Sequence, residues 1–429
     1  AYDDFKKEIL LPHKTSMFGP GMAVGDLNGD GLEDIFVGAA AEYRPGIYFQ
    51  TSGGFFEKKE FDDIQNDNKY EDLGALIFDA DADGDNDLYV VSGGNEFNKD
   101  SEMLQDRLYI NENGNFKKST TALPEMITSG SRVYANDYDK DGDLDLFVGG
   151  RLVPGQYPSP ANSYLLENRS EKGFPKFVDV TSEVAPEFRN LGLVTSASWT
   201  DFDNDGWTDL VISGEWMPIK VFKNDRGEFI DISKQLGLGD TTGWWFSLKE
   251  GDFDNDGDMD FIAGNLGLNY KYQAKKDASF DVYYYDFDGN NSKDIVLSYF
   301  NDGEKFPVRG RECSSQQMPG IKQKFEDYNS YANADLEDIY TKNYLENALH
   351  YQVKSFASVY IENREDGFKI HQLPVEAQIS SINQILVEDF DKDGNLDALI
   401  AGNLYASEVE TPRADAGIGL LLKGDGEGN

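Results

Sequence analysis

One nine-residue pattern recurs seven times in this chain, and it restricts the fold more than any other feature. It reads DLNGDGLED at 26–34, DADADGDND at 79–87, DYDKDGDLD at 137–145, DFDNDGWTD at 201–209, DFDNDGDMD at 252–260, DFDGNNSKD at 286–294 and DFDKDGNLD at 389–397. Carboxylates this close repel unless a cation lies between them. Oxygens at positions 1, 3, 5 and 9 can converge on one point when the chain turns tightly, and position 7 can add a backbone carbonyl. Position 6 then needs a permissive backbone, which Gly31, Gly84, Gly142, Gly206, Gly257 and Gly394 supply and Asn291 tolerates. All-oxygen coordination of this density suits Ca²⁺ better than Mg²⁺, which retains water. No Cys or His accompanies the loops, so zinc and copper are poor candidates.

The candidate ligands are Asp26, Asn28, Asp30, Leu32 and Asp34 in the first loop and Asp79, Asp81, Asp83, Asp85 and Asp87 in the second. The third and fourth offer Asp137, Asp139, Asp141, Asp143 and Asp145, then Asp201, Asp203, Asp205, Trp207 and Asp209. The fifth and sixth offer Asp252, Asp254, Asp256, Asp258 and Asp260, then Asp286, Asp288, Asn290, Ser292 and Asp294. The last offers Asp389, Asp391, Asp393, Asn395 and Asp397. Leu32, Trp207, Ser292 and Asn395 stand at position 7, whose expected contribution is the backbone carbonyl.

These are not EF-hands, which need a bidentate Glu at position 12 and flanking helices. Position 12 is Val37, Val90, Val148, Ile212, Ala263, Leu297 or Ile400. Each loop therefore runs into a short apolar segment such as DIFVG, DLFVG or DLVIS, which reads as a buried strand. Apolar runs precede the loops as well, so each copy is a strand, a metal turn and a strand. A second hairpin follows most copies, as in GIYFQTSGGFFEKK, RLYINENGNFKKS and IKVFKNDRGEFIDIS, with Asn and Gly at the tight turn. A four-stranded unit of about 50–60 residues results, the size of a propeller blade.

These residues resemble the FG-GAP or VCBS-type repeat, and FGPGMAVGDLNGDGLEDIFVG at 18–38 carries the likeness most fully. Such repeats build seven-bladed calcium-binding β-propellers, as in integrin α heads, cartilage acidic protein and bacterial envelope proteins. The resemblance implies that positions 1, 3, 5 and 9 ligate Ca²⁺, up to seven ions in all. The expected fold is an all-β seven-bladed propeller with calcium-binding A–B loops, a single domain over 1–429, with six or eight blades as alternatives. Two spacings depart from regularity. The fifth and sixth loops start close together, and the sixth and seventh are far apart. Between them, 314–352 lacks strand alternation and reads as a helical insertion. The fifth blade is accordingly expected to be truncated and the sixth to carry the excursion, with YDDFKKEILLP near the start closing the ring as a strand.

Charge narrows the partners. With 79 acidic residues against 39 basic ones and a formal net charge of −40, nucleic acid is not a partner. Seven dications would bring that figure to about −26. No apolar stretch is long enough to span a bilayer. Extracellular calcium modules bind at about 10⁻⁴–10⁻³ M, far above cytosolic calcium, so an extracellular, cell-surface or periplasmic location is expected. The start of the chain shows no signal-peptide pattern. The lone Cys313 excludes an internal disulfide.

No phosphate loop, GxSxG elbow or HExxH motif is present, and His13, His350 and His371 lie far in sequence from any nucleophile motif. The chain reads as a non-catalytic binding module. The connections opposite the metal turns carry Phe97, Arg151, Tyr157, Trp216, Asn265, Asn269, Tyr270, Asn403, Tyr405 and Arg413 as candidate ligand contacts. Aromatic, Asn and Arg side chains on one rim suit a protein partner, within a cell-envelope assembly for example, or a glycan. A polysaccharide lyase or hydrolase using the central channel is the third reading.

Overall fold

A computed structural model describes residues 2–428. Among them are seven antiparallel sheets. The first is Met22–Gly25, Asp34–Val37, Gly46–Gln50 and Phe56–Lys59, each strand paired to the next. The second (Asp72–Phe78 to Phe116–Ser119), third (Ser129–Asn136 to Phe177–Asp179) and fourth (Leu193–Thr200 to Glu228–Asp231) repeat this up-and-down order. The repeat in sequence is thus a repeat of sheets. Each strand pair forms because a β-branched or aromatic run follows a turn that reverses the chain.

The fifth sheet corrects the expectation of a truncated unit. It opens with Ser247–Gly251 and Asp260–Gly264, and is completed much later by Val359–Glu362 and Lys369–Gln372. Everything between is inserted into it. That insertion holds its own four-stranded sheet, in which Phe280–Tyr285 is flanked by Asp294–Asn301 and Leu349–Val353, with Glu304–Pro307 outermost. Five short helices at Arg311–Gln317, Ile321–Lys324, Tyr328–Ala332, Leu336–Tyr340 and Lys342–Asn347 connect its last two strands. The helices of the expected 314–352 insertion thus lie within 311–347, while Leu349–Val353 is a strand that pairs with Phe280–Tyr284. The irregular spacing of the fifth, sixth and seventh loops follows directly. The last sheet has three strands, Gln384–Glu388, Asp397–Ala401 and Leu420–Leu422.

The first strands of six sheets pack side by side in the order first, second, third, fourth, fifth, last. Their approach is close: a Cβ on Gly74 would lie 2.6 Å from the Ser131 carbonyl oxygen, so no other residue fits there. Each interface has its own apolar cluster. Leu27, Phe36, Leu88 and Tyr109 join the first and second sheets, and Phe78, Tyr89, Leu146 and Leu166 the second and third. Phe147, Leu165, Leu210 and Phe222 follow, then Val211, Val221, Phe261 and Ile361, and finally Phe253, Ile262, Ala398 and Ile400. None of these clusters joins the last sheet to the first. Met22 and Val24 on the first sheet and Leu386, Leu399 and Leu421 on the last remain exposed.

The N-terminal segment corrects a second expectation. It adds no strand. It forms two 3₁₀ turns, at Asp4–Lys6 and Thr15–Met17, and one isolated bridge between His13 and Ser407. Leu10 and Leu11 instead enter a cluster with Trp216, Trp244 and Phe280. Segment and inserted sheet together cover one side of the fourth sheet.

Candidate metal centres

Every acidic loop occupies the same place. Position 9 is the first residue of a sheet's second strand, and it pairs with the residue just before position 1: Gly25 with Asp34, Phe78 with Asp87, Asn136 with Asp145 and Thr200 with Asp209. Gly251 with Asp260, Tyr285 with Asp294 and Glu388 with Asp397 complete the series. The loops are the turns closing seven equivalent hairpins.

Three hydrogen-bond rules build each turn. The position-1 carboxylate accepts from the backbone N–H of position 6, at 2.8 Å for Asp26 and Gly31, 2.8 Å for Asp201 and Gly206 and 2.9 Å for Asp286 and Asn291. The position-5 oxygen accepts from the N–H of position 7, as Asp83 does from Asp85 and Asn290 from Ser292. One position-9 oxygen accepts from the N–H of position 2, at 2.9 Å for Asp34 and Leu27 and for Asp87 and Ala80. Two residues per turn are left-handed. Position 6 has φ of 82° at Gly31 and 66° at Asn291, while position 4 has 55° at Ala82 and 63° at Lys140 and Lys392. At position 4 the residue type signals this in Gly29, Asn204, Asn255 and Gly289 but not in Ala82, Lys140 and Lys392.

The carboxylates converge. Asp79, Asp81 and Asp87 each bring an oxygen within 4.8 Å of the others, as do Asp137, Asp139 and Asp145, and Asp201, Asp203 and Asp209. Asp252, Asp254 and Asp256, and Asp286, Asp288 and Asp294, form two further groups. Position 9 is buried in every loop. Burial, reinforced by the neighbouring carboxylates, pushes Asp87 up to about 7, Asp145 to about 8, Asp209 to about 7, Asp260 to about 6 and Asp294 to about 7. Both oxygens of buried Asp81, and Oδ1 of Asp137 and of Asp252, lack a hydrogen-bond partner. A buried carboxylate oxygen without a partner is costly, and an oxygen-seeking dication is the partner this donor set fits. Two loops already draw in a cation of the protein's own. Lys223 contacts Asp203 and Asp205, and Lys423 contacts Asp391 and Asp393.

Sequence reasoning missed one element of the site. The second oxygen of position 9 accepts from the N–H of a third-strand residue: Asn111 for Asp87, Asn168 for Asp145, Asn224 for Asp209 and Asn363 for Asp260. Each of these asparagines also donates through Nδ2 to the position-2 carbonyl of the preceding sheet's loop. The acceptors are Leu27 at 2.9 Å, Ala80 at 3.2 Å, Tyr138 at 2.8 Å and Phe202 at 2.7 Å. Asn111, Asn168 and Asn224 donate as well to position 8 of their own loop. One side chain thus stitches two successive metal loops together. The signal was present, since YIN, LEN, FKN and IEN recur at one place in the unit. Read locally, their Asn belongs to the following hairpin turn.

The candidate ligand contacts separate into two sets. Arg151, Tyr157 and Trp216 come together, but they are buried. Arg151 Nη2 lies 2.5 Å from Glu215 Oε2, the Tyr157 hydroxyl donates to Glu215, and Trp216 Nε1 donates to Tyr157 at 2.5 Å. His13 Nε2 closes the group, 2.8 Å from Glu215 Oε1. The physical reason is the cover laid over them by the N-terminal segment and the inserted sheet. Asn265 is also buried and holds backbone, accepting from Trp244 N–H and donating to the Ser355 carbonyl. Tyr270 is half-buried, 2.8 Å from the Ser407 hydroxyl, and Phe97 is half-buried. Asn269, Tyr405 and Arg413 are exposed, and half-buried Asn403 donates to Tyr405 at 2.9 Å.

Repeated antiparallel four-stranded sheets, each with an acidic turn between its first two strands, define a propeller-type repeat protein. A family described as FG-GAP-like repeat matches residues 79–148 and 201–263, and one described as FG-GAP repeat matches 18–54. Cartilage acidic protein 1 of Xenopus tropicalis is 31 % identical over 217 residues, covering 49 % of this chain and 31 % of the relative. The Homo sapiens protein of that name is 28 % identical over 217 residues, covering 49 % and 30 %. The chain therefore matches about a third of the length of these curated relatives, 31 % and 30 %. Among solved structures, the V. cholerae biofilm matrix protein Bap1 aligns with 97 % of this chain and 82 % of its own, at 11 % identity and a TM-score of 0.34. A thermostable family-43 glycoside hydrolase aligns over 69 % and 96 %, at 11 % identity and a TM-score of 0.32. Scores that low carry no argument. The family matches and the loop geometry agree: the chain is an FG-GAP-repeat protein of the β-propeller type. No helix among the described residues is long and apolar enough to cross a membrane.

Proposed function

We propose that this chain is a calcium-stabilised extracellular interaction module that engages a protein partner, and that it serves in a cell-envelope assembly. The observation that carries this is the sevenfold recurrence of one loop geometry, with buried, unpartnered carboxylate oxygens at Asp81, Asp137 and Asp252 in three of the loops. Each loop would hold one ion through the side chains of positions 1, 3, 5 and 9. Bound Ca²⁺ neutralises the clustered carboxylates and so removes the repulsion that opposes closing each hairpin. Six sheets form the propeller-like array in this reading, within a domain spanning 1–429, and the inserted sheet with its helices is an excursion from the fifth. Sites of the usual extracellular affinity, about 10⁻⁴–10⁻³ M, fill outside the cytoplasm.

Burial withdraws Tyr157 and Trp216 from the candidate contact rim, and exposed Tyr405 remains on it. The role is read as non-catalytic, as the FG-GAP repeat matches and the similarity to cartilage acidic protein 1 suggest.

The test has two arms. Metal analysis after gel filtration in millimolar calcium should find several Ca²⁺ per chain, and chelation should lower the melting temperature by well over 10 °C. Cross-linking in the native envelope should join the chain to a protein partner in calcium and not in chelator. A metal-free protein of unchanged melting temperature would end the calcium reading, and a calcium-loaded protein that cross-links to nothing would end the partner reading.

A further inference from the structure

The axial cavity has a character opposite to that of the whole molecule. It is lined from the second, third, fourth and last sheets and from the segments leading into the first and fifth, and holds about 260 Å³. The chain carries a formal charge of −40, yet the charged residues lining this cavity are two arginines, Arg132 and Arg151. Arg132 sits on the first strand of the third sheet, and its Nη1 donates to the Leu73 carbonyl at 2.7 Å. Arg151 ends the second strand of the same sheet. Its side chain is 3 % exposed, its Nη2 faces Glu215, and its Nη1 is buried without a hydrogen-bond partner. Its guanidinium lies 4.3 Å from the centre of the Phe18 ring, which fixes the plane of the fork. Phe18 and Leu73 supply apolar wall, and Asn383 supplies a polar side chain.

A guanidinium held flat by an aromatic ring, with one nitrogen unpartnered, is arranged for a planar two-oxygen anion. Glu215 balances Arg151, so Arg132 leaves the lining with one positive charge in excess. The volume lies below the roughly 300–1,000 Å³ of sites for drug-sized ligands. Exposed Pro20 and Gln384 mark the mouth, between the first and last sheets, where no apolar cluster closes the array.

We propose that this cavity binds a single carboxylate, presented by a small organic acid or by an acidic side chain of a protein partner. Arg132 and the free nitrogen of Arg151 receive the carboxylate, and Phe18 and Leu73 receive the short apolar stem behind it. The site is independent of the metal loops, which lie at the other ends of the strands.

Calorimetric titration of the calcium-saturated protein at fixed ionic strength tests it with glutarate, with acetyl-Gly-Glu-Gly-amide, and with uncharged glutaramide. Binding of glutarate alone assigns the site to a free acid, and binding of the peptide alone assigns it to a partner's side chain; either supports the proposal. Arg132→Gln and Arg151→Lys should each weaken that binding by about tenfold or more. Arg132→Gln is the decisive variant, because Arg151 also balances buried Glu215 and its replacement can disturb folding. The proposal is overturned if neither charged probe binds, if glutaramide binds as well as glutarate, or if folded Arg132→Gln binds like the parent.

Discussion

Asn224 makes three side-chain hydrogen bonds: to the Tyr138 carbonyl at 2.8 Å, to the Thr208 carbonyl at 3.0 Å, and from Gly227 N–H at 2.7 Å. It is fully buried, so removing it strands buried backbone groups in two sheets. Asn224→Ala should cost about 2–4 kcal/mol in denaturant unfolding. It should also weaken calcium at the 137–145 loop as well as at 201–209, since the same side chain holds both. A loss confined to one loop would show that the stitch does not couple them. Ala82 offers the opposite sign. At φ 55° it holds a left-handed conformation unfavourable for a Cβ, so Ala82→Gly should stabilise the protein by about 0.5–1 kcal/mol despite the freer unfolded chain. Glu215 gives the pH dependence. Burial alone would raise its carboxyl, but His13 and Arg151 outweigh that and hold it at about 2. A depressed carboxyl contributes stability that is present in full above its unfolded value near 4.5 and is lost as pH falls towards 2. Urea unfolding between those pH values should show the parent losing on the order of 3 kcal/mol more than Glu215→Gln does.

At the scale of elements, the acidic hairpins were legible because their chemistry is local. Position 6 must be Gly or Asn, position 12 must be apolar, and both requirements appear as letters at fixed spacing. The asparagine stitch was less legible, because its meaning lies in a contact between Asn111 and Leu27 across a sheet boundary. Burial of Tyr157 and Trp216 was not legible at all. Their segments read as surface connections, and the cover over them comes from residues 2–18 and from a sheet inserted at 280–353, both remote in sequence. The insertion itself was misplaced by one unit. Nothing local in DFIAG at 260–264 says that the sheet's third strand, Val359–Glu362, begins 95 positions after Gly264 (359 − 264), and only strand pairing reveals it. The sixth loop sits in that inserted sheet and, like the last loop, has no asparagine stitch to a neighbour among the described residues. It offers Asp286, Asp288 and Asp294 as its only carboxylates at positions 1, 3, 5 and 9, where the last loop offers Asp389, Asp391, Asp393 and Asp397. Its ion, bound by Asp286, Asp288, Asn290 and Asp294, should therefore be the first released in a chelator titration, and Asp288→Asn should remove one bound Ca²⁺ without changing the others.

Across the whole molecule, stability should run unevenly around the array. Five interfaces between adjacent sheets each hold a buried apolar cluster, and four of them are fastened again by an asparagine. The first and last sheets have a neighbour on one side only. Leu386, Leu399 and Leu421 stand in register across the last sheet, Leu386 opposite Leu399 and Leu399 opposite Leu421, with their side chains in water. Burying such side chains supplies about 1.5–3 kcal/mol each, so that sheet lacks several kcal/mol that the inner ones possess. Local opening follows local packing. Amide hydrogen exchange in calcium should therefore reach Ile385–Val387 and Leu420–Leu422 first, then Met22–Gly25, and last Leu146–Val148 and Leu210–Ile212, whose side chains are buried on both faces. Uniform protection around the array would mean that something outside residues 2–428 covers the two open faces in solution.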